Sequence, residues 1–401
     1  MQGLFLVTFP DFNIYSTPLL ILVLQGLIFT VLLFARFLKR RQLSDGLLAV
    51  ILLLTCYDQV SYTIGFMDWY DTYRNTKINY YLINSSLLVA PLLFFYVKSV
   101  TVSSFTFSRK DVWHFAPAVL YVLIRMVILI YDSRQPGFDA VQNGFLVENF
   151  QWKYLNPIVG VLATFQMLLY LAFSFQLFFS YRKRIIQFFS DTFAIELNWI
   201  RNFLYVYTFL FVYHVFQQLT DSMITTLSWT QEWWYYFFSA IAILYVGVKG
   251  YFTDTVRLGQ LNAMDPNHYF EKIPGIAKKT DERNEGKDGA AILLKKEKLE
   301  AYMESETPYL DSGITLIDLA EKLGMNRGEL SEVINVGAEK NFNDFVNHYR
   351  VEEVKRKLQQ GEGEKYSLLA IALDCGFNSK ATFNRVFKKL TGQSPSDYQK
   401  S

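Results

Sequence analysis

Between residues 379 and 389 the chain reads SKATFNRVFKK, and its polar side chains fall at helical spacing. Lys380, Asn384 and Lys388 recur every four residues, Arg385 follows Asn384, and Lys389 lies alongside. On one helix face such residues offer cations to phosphate oxygens and amide or guanidinium groups to base edges, the contacts that hold and read a nucleic-acid duplex. Residues 375 to 401 carry five basic side chains and one acidic one, a net charge of +4. Other chemistry is sparse. His114, His214, His268 and His348 are scattered without an HExxH pair, and Cys56 and Cys375 form neither a CxxC pair nor a disulfide framework. No metal or cofactor is expected, and no residue pattern supports catalysis or transport.

A second polar set sits in apolar surroundings. Asp58 and Arg125 each interrupt a hydrophobic stretch, and a charge in hydrocarbon costs a few kcal/mol or more, so each invites a partner. At ~1.5 Å per residue both lie about 20 Å along their helices, at matching depth. Asn84, His214 and Gln217 come out at a similar or shallower level. Two readings follow: a polar, ligand-sensing pocket open to the outside, or a structural Asp58/Arg125 bridge with interhelical hydrogen bonds around it.

The elements that must position these groups come from two different materials. Residues 1 to 252 contain 17 basic and 13 acidic residues, whereas the remaining 149 contain 22 and 24. Of 69 Phe, Trp and Tyr residues only 12 lie after residue 252, and all seven Trp precede it. The first part falls far below the ~25% charged content of soluble domains, so a single water-soluble globule is excluded. Crossing a bilayer takes about 20 mostly apolar residues. Seven windows qualify, near 17–38, 46–66, 79–99, 112–131, 154–180, 199–220 and 233–252. The opening MQGLFLVTFP lacks a basic n-region and a cleavage signature, so the first window reads as a retained crossing. Short connections on one side hold ten Lys and Arg residues against four on the other, which puts the N-terminus outside and everything after Phe252 in the cytoplasm. Trp69, Tyr70, Tyr73, Tyr80, Tyr81, Trp229, Trp233 and Trp234 fall at outer helix ends and read as an interfacial aromatic belt. Residues 253–291, with Pro266, Pro274 and AKKTDERNEGKDGAA, read as a tether.

The tail contains a duplication. Thr315, Leu316, Leu319, Ala320, Leu323 and Gly324 recur as Ser367, Leu368, Ile371, Ala372, Cys375 and Gly376, each 52 residues later. Each set starts on a hydroxyl N-cap, runs along an apolar helix face and stops at a glycine. A second helix follows each: Asn326 caps one with Leu330, Val333 and Ile334 inward, and Ser379 caps one with Phe383, Val386 and Phe387 inward. This is the helix-turn-helix plan, in which the second helix enters the major groove. Phe342 to Leu358 joins the two units as a helix.

On these residues, Lys296 to Ser401 resembles the DNA-binding domain of AraC/XylS-type transcription regulators. GFNSKATFNRVFKKLTGQSP (Gly376 to Pro395) matches that family's signature region, and NFNDFVNHYRVEEVKRKL is similar to its connecting helix. With the apolar part, the chain resembles membrane-anchored members from Bacteroidetes-like bacteria. The resemblance implies two recognition helices entering successive major grooves on one face of the DNA.

The expectation is thus an all-α chain: a seven-helix membrane sensor (1–252), a linker (253–291) and a cytoplasmic double helix-turn-helix domain (292–401), in a bacterial inner membrane. Candidate DNA contacts are Asn326, Arg327 and Glu332 in the first unit and Ser379, Lys380, Asn384, Arg385, Lys388 and Lys389 in the second. The first unit fits less well, since residues 311 to 348 hold three basic and seven acidic side chains. Expected partners are double-stranded promoter DNA, the lipid bilayer, a second copy of the chain and a small-molecule or membrane signal. The rival reading is a membrane receptor or scaffold whose C-terminal helices dock a protein.

Overall fold

A helix forms over every one of the seven apolar windows. The structure, a computed structural model, describes residues 10–73, 77–102, 105–192, 197–253 and 285–400. The helices are α1 (Ser16–Arg40), α2 (Leu43–Phe66), α3 (Ser85–Thr101), α4 (Ala116–Ser133), α5 (Asn156–Phe188), α6 (Asn198–Met223) and α7 (Trp229–Phe252). A 3-10 turn, Asp111–Phe115, leads into α4, and a π-helical stretch, Val147–Leu155, leads into α5. Five of the seven are long and apolar enough to cross a bilayer: α1, α2, α4 with its 3-10 leader, α5 with its π leader, and α7. The other two fall short of that standard. Helix α3 has only 17 residues, and the 26 residues of α6 are diluted by Asn198, Asn202, Gln217, Gln218 and several tyrosines. Length and composition thus mark five of the seven expected crossings as candidate spans.

Helices α1, α2 and α7 are drawn together by small residues and one ion pair. A Cβ on Gly26 would lie 2.3 Å from Ile243 Cγ2 and 2.6 Å from Cys56 Sγ, so only glycine permits this close crossing. At one end of these helices Arg36 grips Asp45 with two hydrogen bonds, 2.8 and 2.6 Å. The same guanidinium donates to the carbonyls of Gly250, at 3.0 Å, and Tyr251, which closes the C-terminus of α7. Two of the aromatic residues expected in the interfacial belt are core instead. Trp233 is buried and donates its indole N–H to the Tyr15 carbonyl at 2.9 Å. Tyr80 is buried too and donates to Asp132 at 2.8 Å.

The described residues divide into two compact units, one within Met1–Phe178 and Asn198–Asn267, the other within Phe179–Leu197 and His268–Ser401. Most of the linker expected at 253–291 lies outside the described residues. The second unit contains α8 (Glu285–Ser305), α9 (Leu316–Leu323), α10 (Arg327–Glu332, continued by a π turn at Val333–Gly337), α11 (Phe342–Gln359), α12 (Leu368–Asp374), α13 (Lys380–Thr391) and α14 (Pro395–Lys400). No strand occurs among the described residues, only an isolated bridge between Phe189 and Thr315.

Two cores form here, and α11 serves both. Its Phe342, Phe345 and Val346 pack with Leu299, Leu319, Leu330 and Ile334, while Val351 and Val354 pack with Ile371, Phe377, Phe383 and Phe387.

Candidate nucleic-acid interface

Each helix-turn-helix unit is built by the caps its sequence carries. Thr315 Oγ1 accepts from the Asp318 amide at 3.3 Å and Asp318 returns the favour to the Thr315 amide at 2.9 Å, a capping box. Asn326 and Glu329 do the same for α10, at 2.9 and 3.1 Å. In the second unit Ser367 Oγ accepts from the Ala370 amide and Ser379 Oγ from the Thr382 amide, both at 3.2 Å. The turns pass through Gly324 (φ 67°) and Gly376 (φ 87°). At Gly376 a Cβ would meet the Tyr309 carbonyl oxygen at 2.4 Å, so that turn requires glycine twice over, for its dihedral and for its space.

The face of α13 opposite Phe383, Val386 and Phe387 is open. Lys380, Asn384, Arg385 and Lys388 are all exposed, and α13 holds four basic side chains with no acidic one. Lys389 is exposed as well, but its ammonium lies 2.6 Å from the Asp344 carboxylate on α11, which anchors it back onto its own unit. Ser379 is half-buried and occupied as a cap. The structure thus brings Lys380, Asn384, Arg385 and Lys388 onto one surface and sets Ser379 and Lys389 at its edges.

The first unit presents something else. Helix α10 has one basic residue, Arg327, against Glu329 and Glu332. Arg327 is half-buried, Asn326 is exposed but occupied as the cap, and Glu332 is exposed. Lys295 on α8 reaches Glu329 at 3.3 Å. The Asn326 amide, and after it Lys295, hold the Glu329 carboxyl below the usual carboxylate range.

Sequence reasoning missed a structural contribution from residues 188–192. Phe188 packs against the first core, and Ser190 and Thr192 are buried. Asn343 on α11 donates to the carbonyls of Phe189 and Ser190 at 3.2 and 2.8 Å, and Asn347 donates to Ser190 at 3.2 Å. Asn378, beside the cap of α13, donates to Asp191 at 2.8 Å. Buried Arg350 sits between the two cores and ties the strap in. Its Nε donates to the Tyr309 carbonyl at 2.8 Å, one terminal nitrogen to the Asp311 carbonyl at 2.8 Å and to Ser190 Oγ at 3.2 Å. Burial pulls this guanidinium down to about 10, against the pull of Asp191 and Asp311. A signal was there to be read: Phe188 and Phe189 stand beyond Arg182, Lys183 and Arg184, past the point where lipid would explain apolar residues.

In the other unit, two adjoining cavities of about 380 and 590 Å³ share the walls Thr55, Asp58, Tyr81, Asn84, His214 and Tyr235. Three of the five residues expected to sense a ligand are therefore brought together. Gln217 lines neither cavity; Gln218 takes its place, 3.0 Å from the His214 ring nitrogen. One residue along a helix turns a side chain by about 100°, which separates the two glutamines. Nor do Asp58 and Arg125 form the bridge that matched depth suggested. Asp58 accepts from the Ser85 hydroxyl, while Arg125 donates to the carbonyls of Tyr81, at 2.9 Å, and Asn79. Depth along an axis says nothing about azimuth, and the loop before α3 supplies carbonyls nearer than any carboxylate. Asn84 is occupied as the α3 cap, accepting from the Leu87 amide at 3.4 Å.

A family described as a helix-turn-helix domain matches residues 319–401. The chain is 30% identical over 105 residues to the uncharacterized HTH-type transcriptional regulator YijO of Escherichia coli (strain K12), covering 25% of this chain and 36% of that one. It is 30% identical over 90 residues to the raffinose operon transcriptional regulatory protein RafR of Pediococcus pentosaceus, 22% of this chain and 31% of that one. An uncharacterized HTH-type transcriptional regulator of Staphylococcus aureus (strain COL) is 28% identical over 107 residues, 27% and 14% respectively. The chain spans about a third or less of each of these relatives. No solved structure matches. The tail therefore carries a helix-turn-helix domain of AraC type, like that of DNA-binding transcription regulators, and apolar helices precede it.

Proposed function

We propose that this chain is a membrane-embedded, sequence-specific transcription regulator that couples a membrane or extracytoplasmic signal to promoter binding. The observation that carries the reading is the pair of capped helix-turn-helix units on one connecting helix, the second with an exposed face bearing Lys380, Asn384, Arg385 and Lys388. In this reading Lys380 and Lys388 hold phosphates, and Asn384 and Arg385 read base edges. Asn326, Arg327 and Glu332 make a second, weaker set of contacts, with Glu332 accepting from cytosine. Seven helices span the inner membrane with the N-terminus outside. Residues 292–401 form the cytoplasmic DNA-binding domain, and 253–291 tether it. A second copy joins it on the promoter, favoured by confinement to a plane.

The strap at 188–192 follows α5 directly in the chain, and its carbonyls and carboxylate are held by α11 and by Asn378 beside the cap of α13; chain continuity through this strap is the route we propose from the apolar half to the tail.

The test uses the full chain in lipid nanodiscs against a library of genomic duplexes. Selective binding is expected, and the two phosphate contacts of Lys380 and Lys388 should make log K fall against log salt with a slope of about −2 per copy. Binding without sequence preference, or none, would sink the proposal and favour the scaffold reading, for which the acidic first unit is the supporting feature. Cysteine labelling from either side of the membrane tests the topology.

A further inference from the structure

One acceptor on the walls of the two cavities, the Asp58 carboxylate, lacks a charge that would balance it. The Asp58 carboxylate takes the Ser85 hydroxyl, and no cation among the described residues pairs with it. Arg125 is turned to the carbonyls of Asn79 and Tyr81 and lies over the Tyr81 ring, 4.8 Å from its centroid, outside the cavity lining. An uncompensated carboxylate is costly in a medium of low dielectric constant. The remaining walls are mixed: Thr55, Asn84, Ser86, His214 and Ser239 are polar, while Met167, Tyr207, Phe211 and Tyr235 supply apolar and aromatic surface. An anion would be repelled by Asp58, and a neutral alcohol would leave its charge in place. A positive charge carrying N–H donors on an apolar body answers the carboxylate, and tyrosine faces add cation–π attraction. The volume is that of an ordinary small-molecule site.

We propose that this cavity binds an organic ammonium ion with an aromatic or short aliphatic body, its N–H groups on Asp58 and its body against Tyr207 and Tyr235. The inference names the signal for the sensor half of the proposed function and rests on that reading for its biological consequence. Binding is measured without DNA, so its failure leaves promoter recognition standing.

Full-length protein in nanodiscs is titrated with 2-phenylethylammonium, 2-phenylethanol and phenylacetate, followed by calorimetry and thermal unfolding. The ammonium ion is expected to bind saturably and raise Tm, and the other two are not. Asp58→Asn should weaken ammonium binding roughly 10- to 100-fold, as loss of a hydrogen bond to a charged group does. Gly160→Leu supplies an independent variant. Gly160 lines the smaller cavity with nothing within 4 Å of an added Cβ, so leucine should fill the space, abolish binding and leave the unliganded Tm almost unchanged. Equal binding of 2-phenylethanol, no saturable ammonium binding, or undiminished binding in either variant would overturn the proposal.

Discussion

The first helix-turn-helix unit, α9 and α10, and the second, α12 and α13, start both of their helices with a side-chain cap and pass through a glycine between them, yet their second helices present opposite faces. Helix α10 is six residues long before it loosens into a π turn, carries more acid than base, and is braced by α8 through Lys295 and through Ile292, which lies 3.3 Å from where a Gly337 Cβ would be. Helix α13 runs twelve residues with four cations and no acid. A repeated fold therefore does not imply a repeated task. Caps and apolar faces determine that each unit folds, and they leave the outer face free to take any charge.

The most severe way to break the comparison is to remove what joins its two halves. Arg350→Ala leaves the carbonyls of Tyr309 and Asp311 without their donor and opens a gap between the cores, and is expected to cost about 3 kcal/mol of stability in denaturant unfolding. The double variant Arg385→Ala/Lys388→Ala should weaken promoter binding by about 2–3 kcal/mol and flatten the salt slope by about one unit, with the circular dichroism spectrum unchanged. Arg327→Ala in the first unit should lose clearly less in the same assay, and an equal loss would erase the asymmetry. Glu332→Lys should tighten binding to unrelated duplexes by about 1 kcal/mol and so reduce selectivity, read by competition with non-specific DNA. Lys389→Ala should change affinity by only a few tenths of a kcal/mol, because its exposed pairing with Asp344 is worth little.

Much of this was legible in the chain itself. The offset of 52 located both units, Thr315, Asn326, Ser367 and Ser379 announced the helix starts, and the face of α13 could be drawn from spacing. Local rules suffice there because a cap involves residues three apart and an amphipathic face repeats every few residues. The cavity was half legible: Asp58, Asn84 and His214 belong to it, while Gln217 and Arg125 do not. Buried Arg350 read as one more cation in VNHYRVEEVKRK, and residues 188–192 read as a connection.

What the amino-acid order determined unaided was the division into an apolar part and a charged tail, the helices themselves and the chemistry of the exposed face of α13, since each depends on composition or on neighbours within a few positions. What only tertiary structure decided was who meets whom across long separations: Ser190 with Arg350, Asp58 with Ser85 rather than Arg125, Trp233 with Tyr15. Such partnerships depend on the azimuth of helices around their axes and on where loops place their carbonyls, and one residue of rotation, about 100°, is enough to exchange one partner for another.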